Sequence, residues 1–199
     1  MDAVNWLEIV PSLALGIGLA ACAGLRAWLP LLLLGGLARW GVVDLGPSFE
    51  FVASTRALIL FGVATVIEIA GDKIPAVDHT LDALSTVLRP AAGSLLAASV
   101  LWQISDPLTA MALGIAVGAP SALVPHAAKS TLRVVSTTFT GGLANPVLSF
   151  VEDAATFVLF ALTVVLPVVA ATLVVLTGFL VARRLLRRSP SAARPAPAP

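Results

Sequence analysis

The stretch Glu68-Ile69-Ala70-Gly71-Asp72-Lys73-Ile74-Pro75, continuing to Asp78-His79 and Asp82, decides how this chain is read. It follows the uncharged run from Ala57 to Ile67, so its carboxylates begin where an apolar helix ends. Ionisable groups at or near hydrocarbon depth are costly and mark sites. Glu68 and Asp72 are four apart and share a helix face; Asp78 and Asp82 repeat that spacing. Gly71 and Pro75 between them predict a helix end, a tight turn and a new helix opening near Asp78.

A second polar stretch answers the first. His126, Lys129 and Arg133 fall at steps of three and four, on one helical face, with Leu132, Val134 and Val135 on the other side. Gly141-Gly142 and Asn145-Pro146 follow, and the latter pair, before Glu152-Asp153, looks like the broken opening of another helix. Arg26 is the third anomaly, deep in the first apolar region. It either snorkels or neutralises Glu68, Glu152 or Asp153, and a partner is the favoured reading.

Outside these stretches the chain is nearly all apolar. Only 12 % of its 199 residues are charged and its mean hydropathy is +0.99, whereas a soluble domain is about a quarter charged. The expected fold is all-α: an integral membrane helical bundle of about five spans with broken or kinked helices. The apolar segments are about 9–38, 55–70, 90–104, 108–124 and 154–182, with amphipathic pieces at 76–88 and 125–140. In the first of these, Arg26 and Pro30 allow either one kinked helix or two half-helices meeting near Gly24-Leu25-Arg26. Residues 1–188 read as one transmembrane domain and 189–199 as a disordered Pro/Ala-rich tail. Trp6, Trp40 and Trp102 stand near segment ends, where an indole suits the membrane interface; Trp28 marks a break instead.

Charge is distributed unevenly. Arg183, Arg184, Arg187, Arg188 and Arg194 gather in the last 17 residues, leaving the rest of the chain acidic by four. A basic flank beside a hydrophobic helix places that end in the cytoplasm and the protein in a bacterial inner membrane. No folded basic surface suits nucleic acid. The basic tail and the His126–Arg133 face instead suit membrane lipids or an anionic solute. Cys22 is the only cysteine and reads as a buried thiol.

Ala14-Leu15-Gly16-Ile17 recurs as Ala112-Leu113-Gly114-Ile115, and Ser48-Phe49 as Ser149-Phe150. With five spans, the two copies would run in opposite directions, as in the inverted repeats of secondary transporters. A sixth span, made by splitting the last segment around Pro167 or by promoting the 76–88 piece, removes that relation.

The polar string Glu68-x-x-x-Asp72-Lys73-Ile74-Pro75-x-x-Asp78-His79-x-x-Asp82, with Leu88-Arg89-Pro90-x-x-Gly93, resembles the signature of a bacterial membrane family catalogued as domain-of-unknown-function family 4126. Gly24-Leu25-Arg26-Ala27 and His126-x-x-Lys129-x-x-x-Arg133 fit the same pattern, over about residues 10 to 180. The resemblance implies multi-pass topology and shared polar motifs, and it carries over no particular activity.

Function is read from the charges. The leading expectation is a small secondary transporter or channel-like permease, proton- or cation-coupled, for a small ion or anionic solute. Glu68, Asp72 and Asp78 would bind the coupling ion, while Arg26, Lys129 and Arg133 attract the anion or balance the carboxylates. Lys73, His79, Asp82, Arg89, His126, Asn145, Glu152 and Asp153 complete the candidate set. The bland alternative is a structural or lipid-binding scaffold whose charges pair internally, with Lys73 and Arg89 neutralising two carboxylates. A membrane-embedded enzyme acting on a lipid phosphate is the third reading, without a nucleophile elbow, a phosphate loop or a cofactor signature to support it. No cofactor is expected. Asp72, Asp78, His79, Asp82 and His126 could hold a transient divalent ion, but no dedicated metal spacing is present. One copy is small for an enclosed pathway, which points to a homodimer packed through the Gly- and Ala-rich first segment.

Overall fold

A computed structural model of the protein describes residues 6–73 and 75–188, and the side chains there except at positions 6, 8, 75–83 and 185–188. Among the described residues seven α-helices follow one another: α1 (Trp6–Leu25), α2 (Trp28–Arg39), α3 (Thr55–Gly71), α4 (Pro75–Ser99), α5 (Pro107–Thr140), α6 (Asn145–Val165) and α7 (Pro167–Arg188). A short 3-10 helix, Pro47–Ala53, precedes α3 and meets it at a bend of 56°. No strand occurs among the described residues.

Surface and interior have exchanged the polarity of a soluble protein. On α3 the side chains of Ile59, Leu60, Val63 and Val66 face outward, while Thr65, Glu68 and, just beyond the helix, Asp72 are buried. The same inversion holds on α5, where Leu132 and Val134 are exposed and His126, Lys129 and Arg133 are buried. Hydrocarbon is the solvent that makes this arrangement favourable. Helices α5, α6 and α7 are each long and apolar enough to cross a membrane, and the bent 3-10/α3 pair makes a fourth candidate. The chain is a helical membrane protein.

The first apolar region does not cross as one rod. α1 and α2 form a hairpin: Pro11 and Ser12, near the start of α1, line the same cavity as Val42, Val43 and Asp44, just past α2. With 12 residues, α2 extends only about 18 Å, too short for a hydrocarbon core of about 30 Å. Of the two arrangements that Arg26 and Pro30 allow, half-helices are the one adopted, with Arg26 and Ala27 at the tip. Pro30 sits in the first turn of α2, where its missing amide leaves no intrahelical bond unmade.

Elsewhere the helices are longer than their apolar segments suggest. α4 runs through Pro90, joining the amphipathic 76–88 piece to the apolar one after it. α5 runs through Pro120 and Pro125 for 34 residues, about 51 Å. Asp106 caps its start by accepting from the Thr109 amide at 2.8 Å and from the Thr109 hydroxyl, bonds that hold this exposed carboxyl below its usual range. Near the C-terminus the opposite happens, and the 154–182 segment divides at Leu166-Pro167 into α6 and α7. Those two helices lie side by side, with Leu148, Val151 and Leu159 facing the same cavity as Leu173, Thr177 and Val181.

The extra reversals change the repeat. Gly16 meets Ala97 of α4, Ala20 meets Gly93, and Gly24 meets Ala122 of α5, while Gly114 and Gly118 meet Ala98 and Gly93. Helices α1 and α5 therefore run in the same direction, both antiparallel to α4. The matched Ala-Leu-Gly-Ile copies are parallel, not inverted, because α2 returns the chain before α3 begins. Small residues permit this approach: a Cβ on Gly118 would strike the Gly93 carbonyl, and one on Gly24 would strike that of Ala122. The small-residue face of α1 is thus spent within the chain, with Ala20 through Ala23 fully buried, and is not free for a dimer interface. Trp40 and Trp102 are exposed at the Pro11 end, as interface residues should be, and Trp28 packs against Phe61 at a ring-centroid distance of 6.3 Å.

Replacing Gly118 by Leu should force α4 and α5 apart and destabilise the fold by about 1–3 kcal/mol. Thermal unfolding in detergent tests this, and an unchanged midpoint would contradict the close approach described.

Candidate functional site

Arg26 is fully buried at the hairpin tip. A guanidinium stays charged in any protein environment, so its burial obliges carboxylates to gather round it. Asp72 comes from the end of α3 and pairs with Arg26 Nη1. Asp153 of α6 lies 2.7 Å from Nε and Glu152 lies 3.9 Å from Nη2. Nη2 also donates to the Ser149 hydroxyl at 2.9 Å and to its carbonyl at 3.2 Å.

The cationic face of α5 closes the cluster from the other side. Lys129 Nζ reaches Asp72 at 3.2 Å and Glu152 at 2.8 Å. Arg133 Nη2 donates to Asp72 and to Glu152 at 3.0 Å each, and its Nε donates to Glu152 at 3.2 Å. One oxygen, Asp72 Oδ2, therefore accepts from Arg26, Lys129 and Arg133 together. Lys73 stands at the edge, 3.7 Å from Asp153 and 4.6 Å above the Phe150 ring.

Glu68 does different work. Its two oxygens accept from the backbone amides of Ala27 at 3.0 Å and Trp28 at 3.2 Å, the orphan donors opening α2. Ala27 has no side chain able to cap the helix, so the cap comes from 41 residues away. Arg89 lies 3.7 Å from Glu68 and donates at 3.0 Å to the Gly24 carbonyl, the last turn of α1. Arg89 Nη1 is also 3.2 Å from His126 Nδ1, a contact in which that ring nitrogen must be the acceptor. Both loose ends of the broken helix are thus held by side chains from α3 and α4.

The described part of the first polar stretch, the His126–Arg133 face and Arg26 meet in one buried place, which needs the chain to bring α1, α3, α4, α5 and α6 together at the hairpin tip. Arg26, Glu68, Asp72, Lys73, Arg89, His126, Lys129, Arg133, Glu152 and Asp153 all belong to it. Arg26 finds Glu152 and Asp153, as its position suggested, and Asp72 in place of Glu68. Glu68 and Asp72, though four apart, are stabilised by separate partners. Asn145 is buried one turn before Ser149 and reaches Thr137 at 3.4 Å, outside the ion-pair network. The side chains of Asp78, His79 and Asp82 lie outside the described residues. Among those described, no group of three His, Cys, Asp or Glu is placed to hold a metal.

Two contributors carried no sequence signal. Ser149 was visible only as half of a repeated Ser-Phe pair, and the carbonyl of Gly24 is backbone. Counting the described side chains, five cations (Arg26, Lys73, Arg89, Lys129, Arg133) face four carboxylates (Glu68, Asp72, Glu152, Asp153). In a low-dielectric interior, removing one partner from such a set is costly.

Comparison with curated proteins and with solved structures gave no match. A family model does match, over residues 13–187, and that span takes in Arg26, both polar stretches and the five helices that meet there except the start of α1. The chain belongs to the family described as domain of unknown function DUF4126.

Proposed function

We infer that the protein is a small secondary transporter or channel-like permease for an anionic solute, coupled to protons through the buried carboxylates. The observation that carries this reading is the convergence of Arg26, Lys129 and Arg133 on a single Asp72 oxygen, with Glu152 beside it. Three cations shared by two carboxylates form an anion site that the protein itself occupies. Protonating Glu152 removes an internal anion and frees guanidinium and ammonium donors for a solute carboxylate or phosphate. Loss of the proton restores the internal pairs and expels the solute. Both steps conserve charge across the site, which keeps the cost of a buried cluster from rising during the cycle.

The hairpin suits such a cycle. Broken helices that end near a binding site are the usual device by which transporters place backbone dipoles at a solute. Here the tip is held at Gly24, Ala27 and Trp28 by Arg89 and Glu68. A scaffold is the competing reading, and the pairing of each described carboxylate in the cluster favours it. The proposal includes a bacterial inner membrane and a cytoplasmic C-terminus, supported by the exposed Arg183 and Arg184 at the end of α7. It also includes a homodimer, now without α1 as its interface.

Reconstituted protein should take up small inorganic or carboxylate anions into vesicles when a pH gradient is imposed. Lys129→Met should abolish uptake. Glu152→Gln should retain anion exchange and lose its dependence on the pH gradient. Absence of flux for every anion tried, with native folding in detergent, would remove the transport reading and leave the scaffold. Asp72→Asn, which takes a shared partner from three buried cations and leaves them Glu152 and Asp153, should cost about 3 kcal/mol of stability; an unchanged melting curve would show that the three contacts do not act together.

Orientation and assembly have separate tests. With Cys22 buried, a Ser191→Cys variant should react with an impermeant maleimide only after cells are opened. Labelling of intact cells would reverse the assigned topology. Mass measurement of the detergent-solubilised complex should give two copies of the chain, and a strict monomer would contradict the dimer.

A further inference from the structure

A cavity of about 390 Å³ lies between α5, α6 and α7, on the flank of the ion-pair cluster. That volume falls in the range, roughly 300–1,000 Å³, that encloses a small organic ligand. Its walls are hydrocarbon: Val124, Ala128, Ala155 and Leu159 are representative. Lys129 and Glu152 reach the wall too, but they pair with each other at 2.8 Å and present their aliphatic stems. The two charged groups that line it are thus already paired, so a charged solute gains little here. The rim residues Leu132, Val151 and Leu173 are exposed, so the cavity opens sideways, onto the face that the membrane covers.

Charge enters from the helix end. On α7 the cavity is lined by Thr177 and Val181, and the same helix face continues to Arg184, which is exposed. An occupant with a hydrocarbon chain along Thr177 and Val181 would therefore carry its polar end to a guanidinium at the membrane surface. A basic residue at that level attracts anionic lipid.

We propose that this lateral cavity is a binding site for an anionic phospholipid, one acyl chain lying between α5, α6 and α7 and the phosphate resting on Arg184. The site is independent of the transport reading, because it rests on apolar walls and a surface arginine, not on the internal ion pairs. It adds a lipid to the wall of Lys129 and Glu152, so the lipid's presence also excludes water from that side of the cluster.

The test uses the full chain in lipid nanodiscs of phosphatidylcholine doped with phosphatidylglycerol bearing a photoactivatable diazirine on one acyl chain. Label should concentrate on peptides carrying Ala128, Val151 and Thr177, and Ala155→Trp should suppress it by filling the cavity. Arg184→Gln should lower the preference for phosphatidylglycerol over an equally labelled phosphatidylcholine by roughly fivefold, the factor expected for one basic side chain at an anionic surface. Label spread equally over the outer face of α3 overturns the proposal, and this readout on the unsubstituted chain serves even if A155W fails to fold. Equal labelling by the two lipids in the unsubstituted protein also overturns it.

Discussion

Burying Arg26 at the tip of a short hairpin is the constraint from which the architecture follows. A guanidinium does not discharge by losing its proton, so a carboxylate shell must be built for it. Removing one partner of a buried pair costs about 3–5 kcal/mol, comparable to a large part of a domain's net stability. The shell draws Asp72 from α3 and Glu152 and Asp153 from α6. Those carboxylates in turn need Lys129 and Arg133 from α5. Five helices are fixed relative to one another by a chain of compensation that starts at one side chain.

The same point explains why the first apolar region breaks. A continuous helix through Arg26 would satisfy its own amides but leave the guanidinium without this shell. Breaking it exposes the amides of Ala27 and Trp28, which Glu68 accepts, and the carbonyl of Gly24, which Arg89 donates to. In hydrocarbon an irregular backbone is tolerated only where protein supplies such partners. Glu68 and Arg89 thus hold the ends of the broken helix, while Asp72, Glu152 and the three shared cations pair among themselves. Close packing of α1, α4 and α5 at Gly24, Gly93 and Gly118 brings the helices near enough for these side chains to reach.

The polar positions were legible because each was an exception to its surroundings. Glu68 ends an uncharged run, Arg26 interrupts another, and the spacing of His126, Lys129 and Arg133 puts them on one face whatever the helix packs against. Segment limits were less legible. Pro90, Pro120 and Pro125 lie inside continuous helices, whereas Pro167 ends one, and proline alone does not say which. Ser149 stood out only in the Ser-Phe repeat, because a serine in an apolar helix can bond back to its own turn as well as turn toward a distant arginine.

Apolar composition and the isolation of its charges determined, from the sequence alone, that this is a helical membrane protein with a buried polar site, since hydrocarbon accepts neither open backbone nor unpaired charge. Only the tertiary structure decided which carboxylate meets which cation, that the first region is a hairpin, and that the matching Ala-Leu-Gly-Ile copies run parallel. Direction and pairing depend on where each helix turns back, and a turn held by side chains more than forty residues away is not decided by its local sequence.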